Sequence, residues 1–126
     1  MQLPEVIERY FRCLEAGDFD SAARCFTESA RYSHPPYPGD PPGAPRHEAT
    51  GREAILALFR RRGPRTTSHQ LTAWSCHRDR CFVSGQIRDG QEEVVGSFVS
   101  EAALAEDGRI LEYVAYSSRP AVWHGE

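Results

Sequence analysis

The histidines supply the acid–base chemistry that this sequence offers near neutral pH. Tyr32 and His34 lie two residues apart in a segment with the composition of a strand. Successive side chains of a strand point to opposite faces, so these two residues share a face. If Tyr32 faces a pocket, His34 faces it too, and an imidazole is suited to act as a general base there. A histidine at a loop edge before Pro35 is the structural alternative.

His69 and Tyr10 are further polar groups that could take part in such chemistry. His69 stands at the start of a predicted strand, where a surface position is the alternative. With His34 it could form a pair in which one imidazole takes a proton and the other gives one. Tyr10 lies on the apolar stripe of a predicted helix and is either a core tyrosine or a hydrogen-bond donor into the pocket. His34, Tyr10 and His69 are therefore the candidate catalytic residues.

Aromatic and hydroxyl-bearing side chains supply candidate pocket walls, although core packing is the default for large apolar residues. Ser97 and Ser100 fall on opposite faces of one predicted strand, so only one of them can face the pocket. The candidate ligand-binding residues are Tyr32, Phe59, Trp74, Phe98, Ser100, Tyr113 and Tyr116.

The types of basic residue in the sequence exclude several classes of catalytic site. All fifteen are arginines, and without lysine there can be no Schiff-base lysine, no lysine-bound pyridoxal phosphate and no P-loop. The run Arg60–Arg62, followed by Arg65, is best explained as a helix end whose charge complements the helix dipole. Arg46 and His47 could meet a ligand carboxylate, but exposure to solvent is the more usual role for such residues.

Length and composition predict one domain over residues 1–126, with 40% apolar and 26% charged residues. The net charge of -3 argues against a nucleic-acid partner. No apolar run is long enough to span a membrane, and the N-terminus lacks the pattern of a signal peptide, so we expect a cytoplasmic protein. We expect no metal, because no second pair of ligands has the spacing of a zinc site, and we also expect no cofactor.

Three helices are expected to position these groups. The first carries apolar residues at spacings of three and four, and Gly17 ends it. Asp18 can cap a short second helix that buries Phe19, Ala22, Ala23 and Phe26. The third opens at an apparent capping box over residues 50–53, with Ile55, Leu58 and Phe59 turned inward.

The rest of the chain is predicted to form strands and one loop. A short strand covers residues 30–34, and residues 35–47 hold six of the nine prolines and form a loop or lid. Four further strands, at 66–77, 81–88, 92–105 and 109–118, form a meander with tight turns between them. Cys76 and Cys81 flank one of these turns and are placed so that a disulfide is conceivable, whereas Cys13 and Cys25 fit reduced core cysteines.

Several of these segments resemble the NTF2-like superfamily, and in particular its SnoaL-like and ketosteroid isomerase-like members. Residues 7–20 are similar to the opening helix and the junction that follows it, and residues 30–35 to the first strand. Residues 50–55 resemble the start of the third helix, and residues 107–110 the last turn. The resemblance implies an α+β cone, in which three N-terminal helices pack on a curved, mostly antiparallel sheet around one pocket. It also implies a homodimer.

The resemblance also implies roles for individual residues. Tyr10 matches the tyrosine that donates to the oxyanion in ketosteroid isomerases, and His34 stands where their catalytic aspartate does. His69 resembles the strand histidine of scytalone dehydratases, with Glu15 near the place of that family's helix aspartate. Ser100 lies near a protonated acid of the isomerase oxyanion hole. The Asp-Arg-Asp network of the epoxide hydrolases has no counterpart here.

Three functions follow as hypotheses. The first is an enzyme without cofactor that isomerises, cyclises or dehydrates a hydrophobic carbonyl compound of polyketide or steroid-like character. In this hypothesis His34 is the base, and Tyr10 and His69 stabilise the developing enolate. The second is a non-catalytic module that binds a small hydrophobic ligand. The third is a structural homodimer, because Val94, Val95, Phe98 and Val99 give one strand apolar residues on both faces.

Overall fold

The sheet of this protein carries its helices on one face. The computed structural model describes residues 2–123. Their six strands form one sheet in the order β2-β1-β6-β5-β4-β3, in which β1 and β6 are parallel and all other neighbours antiparallel. The elements are α1 (Glu5–Glu15), α2 (Phe19–Arg24), β1 (Phe26–His34), β2 (His47–Thr50), α3 (Arg52–Arg62), β3 (Ser68–His77), β4 (Arg80–Arg88), β5 (Val94–Leu104) and β6 (Ile110–Ser118).

The α+β class and the mostly antiparallel sheet are confirmed. The prediction of three N-terminal helices was wrong in one respect, because β1 and β2 precede α3. This order lets the short β2 add to the free edge of β1 before the chain crosses back over the sheet as α3. No helix within residues 2–123 has the length and apolar character needed to cross a membrane.

Helix α1 forms as its sequence pattern predicts, with one apolar stripe buried against the sheet. Gly17 follows the helix at φ 78°, a conformation that glycine adopts readily. Asp18 then caps α2, since its carboxylate accepts a hydrogen bond of 3.2 Å from the backbone N–H of Ser21. The buried residues of the α1 stripe are Val6, Ile7, Tyr10, Phe11 and Leu14.

Two local predictions were wrong. Phe26 does not belong to α2 but begins β1, which is therefore four residues longer than expected. The capping box does not form, because Thr50 belongs to β2 and no side chain caps α3. Gly51 takes the cap position at φ 96°, where an L side chain would be strained.

The inner face of the sheet packs against α1 and α3. Buried and more exposed positions alternate along β4, as the period of two requires. The ring centroids of Phe11 on α1 and Phe98 on β5 are 5.7 Å apart. Gly85 permits the close approach of β3, because a Cβ there would lie 2.0 Å from the carbonyl oxygen of Gln70.

The turn between β3 and β4 brings Cys76 and Cys81 together as a disulfide, with their Cα atoms 4.1 Å apart. Cys13 and Cys25 are free thiols, of which Cys25 is buried and Cys13 only partly so.

Side-chain contacts hold the centre of the proline-rich segment, residues 35–47, in place. The ring of Tyr37 stacks on that of His47 with a centroid distance of 4.0 Å. Asp40 accepts hydrogen bonds of 2.7 Å from the backbone N–H of Tyr37 and from Nε2 of His47. His47 was expected in the loop but begins β2, so β2 anchors the end of the segment.

Candidate functional site

A small cavity lies between α1, the proline-rich segment and the inner face of the sheet. Its volume of about 40 Å³ suits a water molecule rather than a larger ligand. It shares part of its wall with a wider groove of about 720 Å³. The predicted residues that line the cavity with their side chains turned inward are Tyr10, His34, His69, Phe98 and Tyr113.

A cluster of buried hydroxyl groups forms one wall of the cavity. The hydroxyl oxygens of Tyr10 and Tyr32 are 3.1 Å apart. The rings of Tyr32 and Tyr113 stack with a centroid distance of 5.4 Å. Burial raises the pKa of Tyr10 and of Tyr113, and hydrogen bonds with Ser100 and Tyr10 oppose this rise only in part for Tyr113. Tyr10 and Tyr113 therefore keep their protons at neutral pH and can donate hydrogen bonds.

His34 lies at the end of β1 with one nitrogen engaged. Its Nδ1 is 2.7 Å from the carbonyl oxygen of Pro35, and since a carbonyl only accepts, Nδ1 carries the proton. Burial lowers the pKa of His34 to about 3. The hydrogen bond to Pro35 opposes this change, and the positive charges of Arg65 and Arg62 add to it. His34 is thus neutral at pH 7, with an unprotonated Nε2.

His69 is held by the carboxylate of a residue that is distant in the sequence. The Oε2 atom of Glu15, at the end of α1, accepts hydrogen bonds from the backbone N–H of His69 at 2.7 Å and from Nδ1 at 3.0 Å. Burial lowers the pKa of His69, the hydrogen bond to Glu15 opposes the change, and the charges of Arg65 and Arg62 add to it. The carboxylate fixes the tautomer, which leaves Nε2 as the basic nitrogen of the ring.

Other predicted ligand-binding residues lie behind the cavity or away from it. Tyr32 and Ser100 are buried and support the hydroxyl cluster from behind. Phe59 belongs to the core, with its ring 5.3 Å from that of Tyr32. Trp74 lies beside the start of α1 and does not line the cavity. Tyr116 borders the cavity, but its side chain is 54% exposed and stacks under the guanidinium of Arg46.

The opposite placement of Tyr113 and Tyr116 follows from their spacing. They are three residues apart on β6, so a strand must direct them to opposite faces. The ligand-binding role of the predicted residues stays a prediction.

Sequence reasoning missed the arginines of the cavity. Arg62 and Arg65 line both the cavity and the groove. The run of arginines at the end of α3 was a signal, but the helix dipole explained it equally well. Arg46, by contrast, bonds to the side chain of Ser33 and the carbonyl oxygen of Ala115 and is engaged within the protein.

Within residues 2–123, no three His, Cys, Asp or Glu side chains are grouped so that they could hold a metal ion. The polar groups that the cavity presents are the two imidazoles, the tyrosine hydroxyls and the arginines.

Comparison with known proteins identifies the family of this chain. A model of the SnoaL-like domain matches residues 7–113. No curated protein matches the sequence. A SnoaL-like family protein from Agrobacterium tumefaciens has a similar structure, with a TM-score of 0.70 and 16% identity over 90% of this chain and 95% of the other.

Two further solved structures are similar. A Kribbella flavida protein, provisionally classed as a ketosteroid isomerase, has a TM-score of 0.68 and 18% identity over 92% of this chain and 77% of its own. The epoxide hydrolase/cyclase-like enzyme SalBIII, with a role in pyran ring formation in the polyether salinomycin, has a TM-score of 0.67 and 22% identity over 90% and 88% of the two chains. At these identities the likeness shows the fold alone.

Proposed function

Since this chain belongs to the SnoaL-like domain family, as the resemblance implied, we propose that it is an enzyme without cofactor that isomerises, cyclises or dehydrates a hydrophobic carbonyl compound. The observation that supports this most is the pair of Glu15 and His69 beside the buried hydroxyls of Tyr10 and Tyr113. The pair supplies a base, and the hydroxyls supply donors for a developing oxyanion.

The first chemical step is removal of a proton from the carbon next to the carbonyl. Nε2 of neutral His69 takes this proton. The electron pair of the broken C–H bond forms the C=C bond of the enolate, and the π electron pair of the C=O bond moves onto the oxygen. Glu15 accepts the hydrogen bond from Nδ1 and stabilises the imidazolium that forms. Return of the proton to another carbon completes an isomerisation, and its transfer to a leaving hydroxyl completes a dehydration.

The hydroxyl cluster stabilises the enolate. Tyr10 and Tyr113 are buried, keep their protons and border the same cavity as His69. The neighbouring hydroxyl of Tyr32 orients Tyr10. Donors that are fixed in advance, away from water, stabilise a developing charge at little reorganisation cost.

This arrangement exchanges the roles expected from the sequence. His34 was the expected base, with His69 and Tyr10 stabilising the enolate. A histidine whose pKa is lowered to about 3 is a weak base, whereas Glu15 supports the basicity of His69. We therefore assign the base to His69, and to His34 a polar contact with the ligand through Nε2.

Deuterium exchange tests the proposal. Uptake of deuterium next to the carbonyl of 2-tetralone and other cyclic ketones is followed in D₂O by NMR. His69→Gln should slow the catalysed exchange about 100-fold or more, since a positioned base contributes that much. His77→Gln is the control, because His77 is an exposed histidine on the same strand. Exchange that His69→Gln leaves unchanged refutes the assignment.

A non-catalytic, ligand-binding homodimer is the second candidate. The outer face of the sheet exposes large apolar side chains, among them Phe82, Val99 and Tyr116, as expected of a face that a second copy covers. Ketones that bind without any catalysed exchange would favour this candidate.

A further inference from the structure

The arginines in the last turn of α3 point in different directions. Arg60 forms a surface ion pair of 2.8 Å with Asp20. Arg62 turns inward, half-buried, with its guanidinium carbon 4.1 Å from the centre of the Tyr37 ring. Its Nη1 atom is buried and has no hydrogen-bond partner within residues 2–123. The helix dipole does not account for such a placement, because a charge that only complements the dipole can remain in water.

A second arginine adds to the same positive region. Arg65 is half-buried and lines the cavity together with Arg62. Burial and the like charge of Arg65 both lower the pKa of Arg62. The charge of Arg65 also lowers the pKa of His34 and of His69, so the positive potential extends to both imidazoles.

The carboxylates that line the groove are engaged elsewhere. Asp40 bonds to His47 and to the backbone N–H of Tyr37. Asp89 accepts hydrogen bonds from the backbone N–H groups of the turn after β4. Over the part of the chain that the structure describes, neither Arg62 nor Arg65 forms an ion pair. The charge of Arg62 helps to lower the pKa of Asp40, but this carboxylate is already engaged and pairs directly with neither arginine. Two partly buried positive charges that share one engaged carboxylate are unfavourable, so the site favours an added anion.

We propose that the cavity and the groove bind a small organic carboxylate, with its carboxylate group between Arg62 and Arg65 and its apolar body in the groove. Guanidinium groups suit a carboxylate because their planar donors match its two oxygens. Phosphate sites commonly add the N–H groups of a helix N-terminus, whereas Arg62 is the last residue of α3 and Arg65 follows the helix. The groove has room for the body, which the cavity alone lacks.

The inference deepens the proposed function by naming the substrate class as a carbonyl compound that carries a carboxylate. Its carbonyl group would enter the cavity lined by Tyr10, His69 and Tyr113, while the rest of its body stays in the groove. Only this extension rests on the proposed function. The binding of the anion stands whether or not the site is catalytic.

Calorimetric titration with a matched pair of probes tests the inference. The pair is 3-phenylpropanoate and 3-phenylpropanamide, which differ in charge but hardly in shape. We expect the carboxylate to bind at least about tenfold more tightly, as charge-assisted hydrogen bonds require. Arg62→Gln and Arg65→Gln should each remove most of this preference. Arg60→Gln makes the same charge change outside the groove and should keep it.

Equal binding of the two probes, or no binding of either at millimolar concentration, overturns the inference. So does an equal loss of the preference in Arg60→Gln, or tighter binding of inorganic phosphate than of the carboxylate. Since neither probe is a ketone substrate, this result is separate from the exchange assay. If the wild type shows no preference for the carboxylate but its exchange depends on His69, only this inference is wrong. If the wild type prefers the carboxylate but its exchange does not depend on His69, only the proposed function is wrong.

A second measurement compares thermal stability without and with the carboxylate probe. Arg62→Met keeps the apolar stem but removes the unpaired charge, so its Tm without ligand should equal or exceed that of the wild type. Addition of 3-phenylpropanoate should raise the Tm of the wild type and not that of Arg62→Met. A lower Tm of the ligand-free variant, with no effect of the anion on the wild type, would mean that Arg62 only supports the fold.

Discussion

Burial of a neutral His34 should make this protein less stable as the pH falls. The pKa of His34 is lowered to about 3 in the folded chain, against about 6.5 for an unfolded histidine. Between these two values the unfolded state binds a proton that the folded state does not bind. Stability from this group is therefore complete above pH 6.5 and decreases as the pH falls towards 3.

The size of the effect follows from the distance between the two pKa values. At pH 5 the solution is about 1.5 units below the unfolded pKa and still well above the folded one. Each unit corresponds to about 1.4 kcal/mol, so His34 alone should lower the free energy of unfolding by about 2 kcal/mol between pH 7 and pH 5. This is a large part of the stability of a small domain.

The measurement is urea denaturation of the wild type and of His34→Asn at both values of pH. The side-chain amide of asparagine can replace Nδ1 of His34 as the hydrogen-bond donor to the carbonyl oxygen of Pro35, but it does not titrate. The loss of stability between pH 7 and pH 5 should be about 2 kcal/mol smaller in the variant. His69 and the carboxylates titrate in both proteins, so their contributions cancel in the comparison.

His77→Asn serves as the control, because His77 is exposed and should leave the pH dependence unchanged. If the wild type and His34→Asn lose the same stability on acidification, then His34 titrates normally in the folded protein. The description of a buried, neutral imidazole at this site would then be incorrect.

Two further predictions concern the sheet. Gly85→Ala should cost about 3 kcal/mol or more in urea denaturation, since its Cβ would meet the backbone of Gln70. Gly39→Ala, which has open space around it, should change stability little, and equal effects would contradict this account. Light scattering should find a dimer, and Val99→Glu should convert it to a monomer because Val99 is half-exposed on the outer face. A monomeric wild type would exclude the homodimer.

Much of the fold could be predicted because its signals are local. The spacing of apolar residues on α1 is a property of eleven consecutive residues, and the side chain of Asp18 caps a helix that starts at the next residue. The strands of the meander and their turns are likewise encoded within a few residues. The strand period placed Tyr32 and His34 on one face, and both side chains turn towards the same side of β1.

The errors arose where local patterns compete. Residues 50–53 have the letters of a capping box, but pairing of β2 with β1 takes Thr50 into the sheet and leaves the cap to Gly51. Phe26 continues the apolar spacing of α2, yet it pairs with Ile110 of β6 in the sheet. Pairing with a strand from the other end of the chain outweighs a weak helical preference.

The sequence by itself determined the α+β class, the family and the residues available for chemistry, because composition, periodicity and turn residues act over short distances. Only the tertiary structure decided which of those residues meet. Glu15 reaches His69 across 54 positions of the chain, and Arg62 turns inward while Arg60 stays in water. These outcomes depend on how α1, α3 and the sheet pack together, since burial and charge at one residue are set by neighbours that the local sequence does not contain.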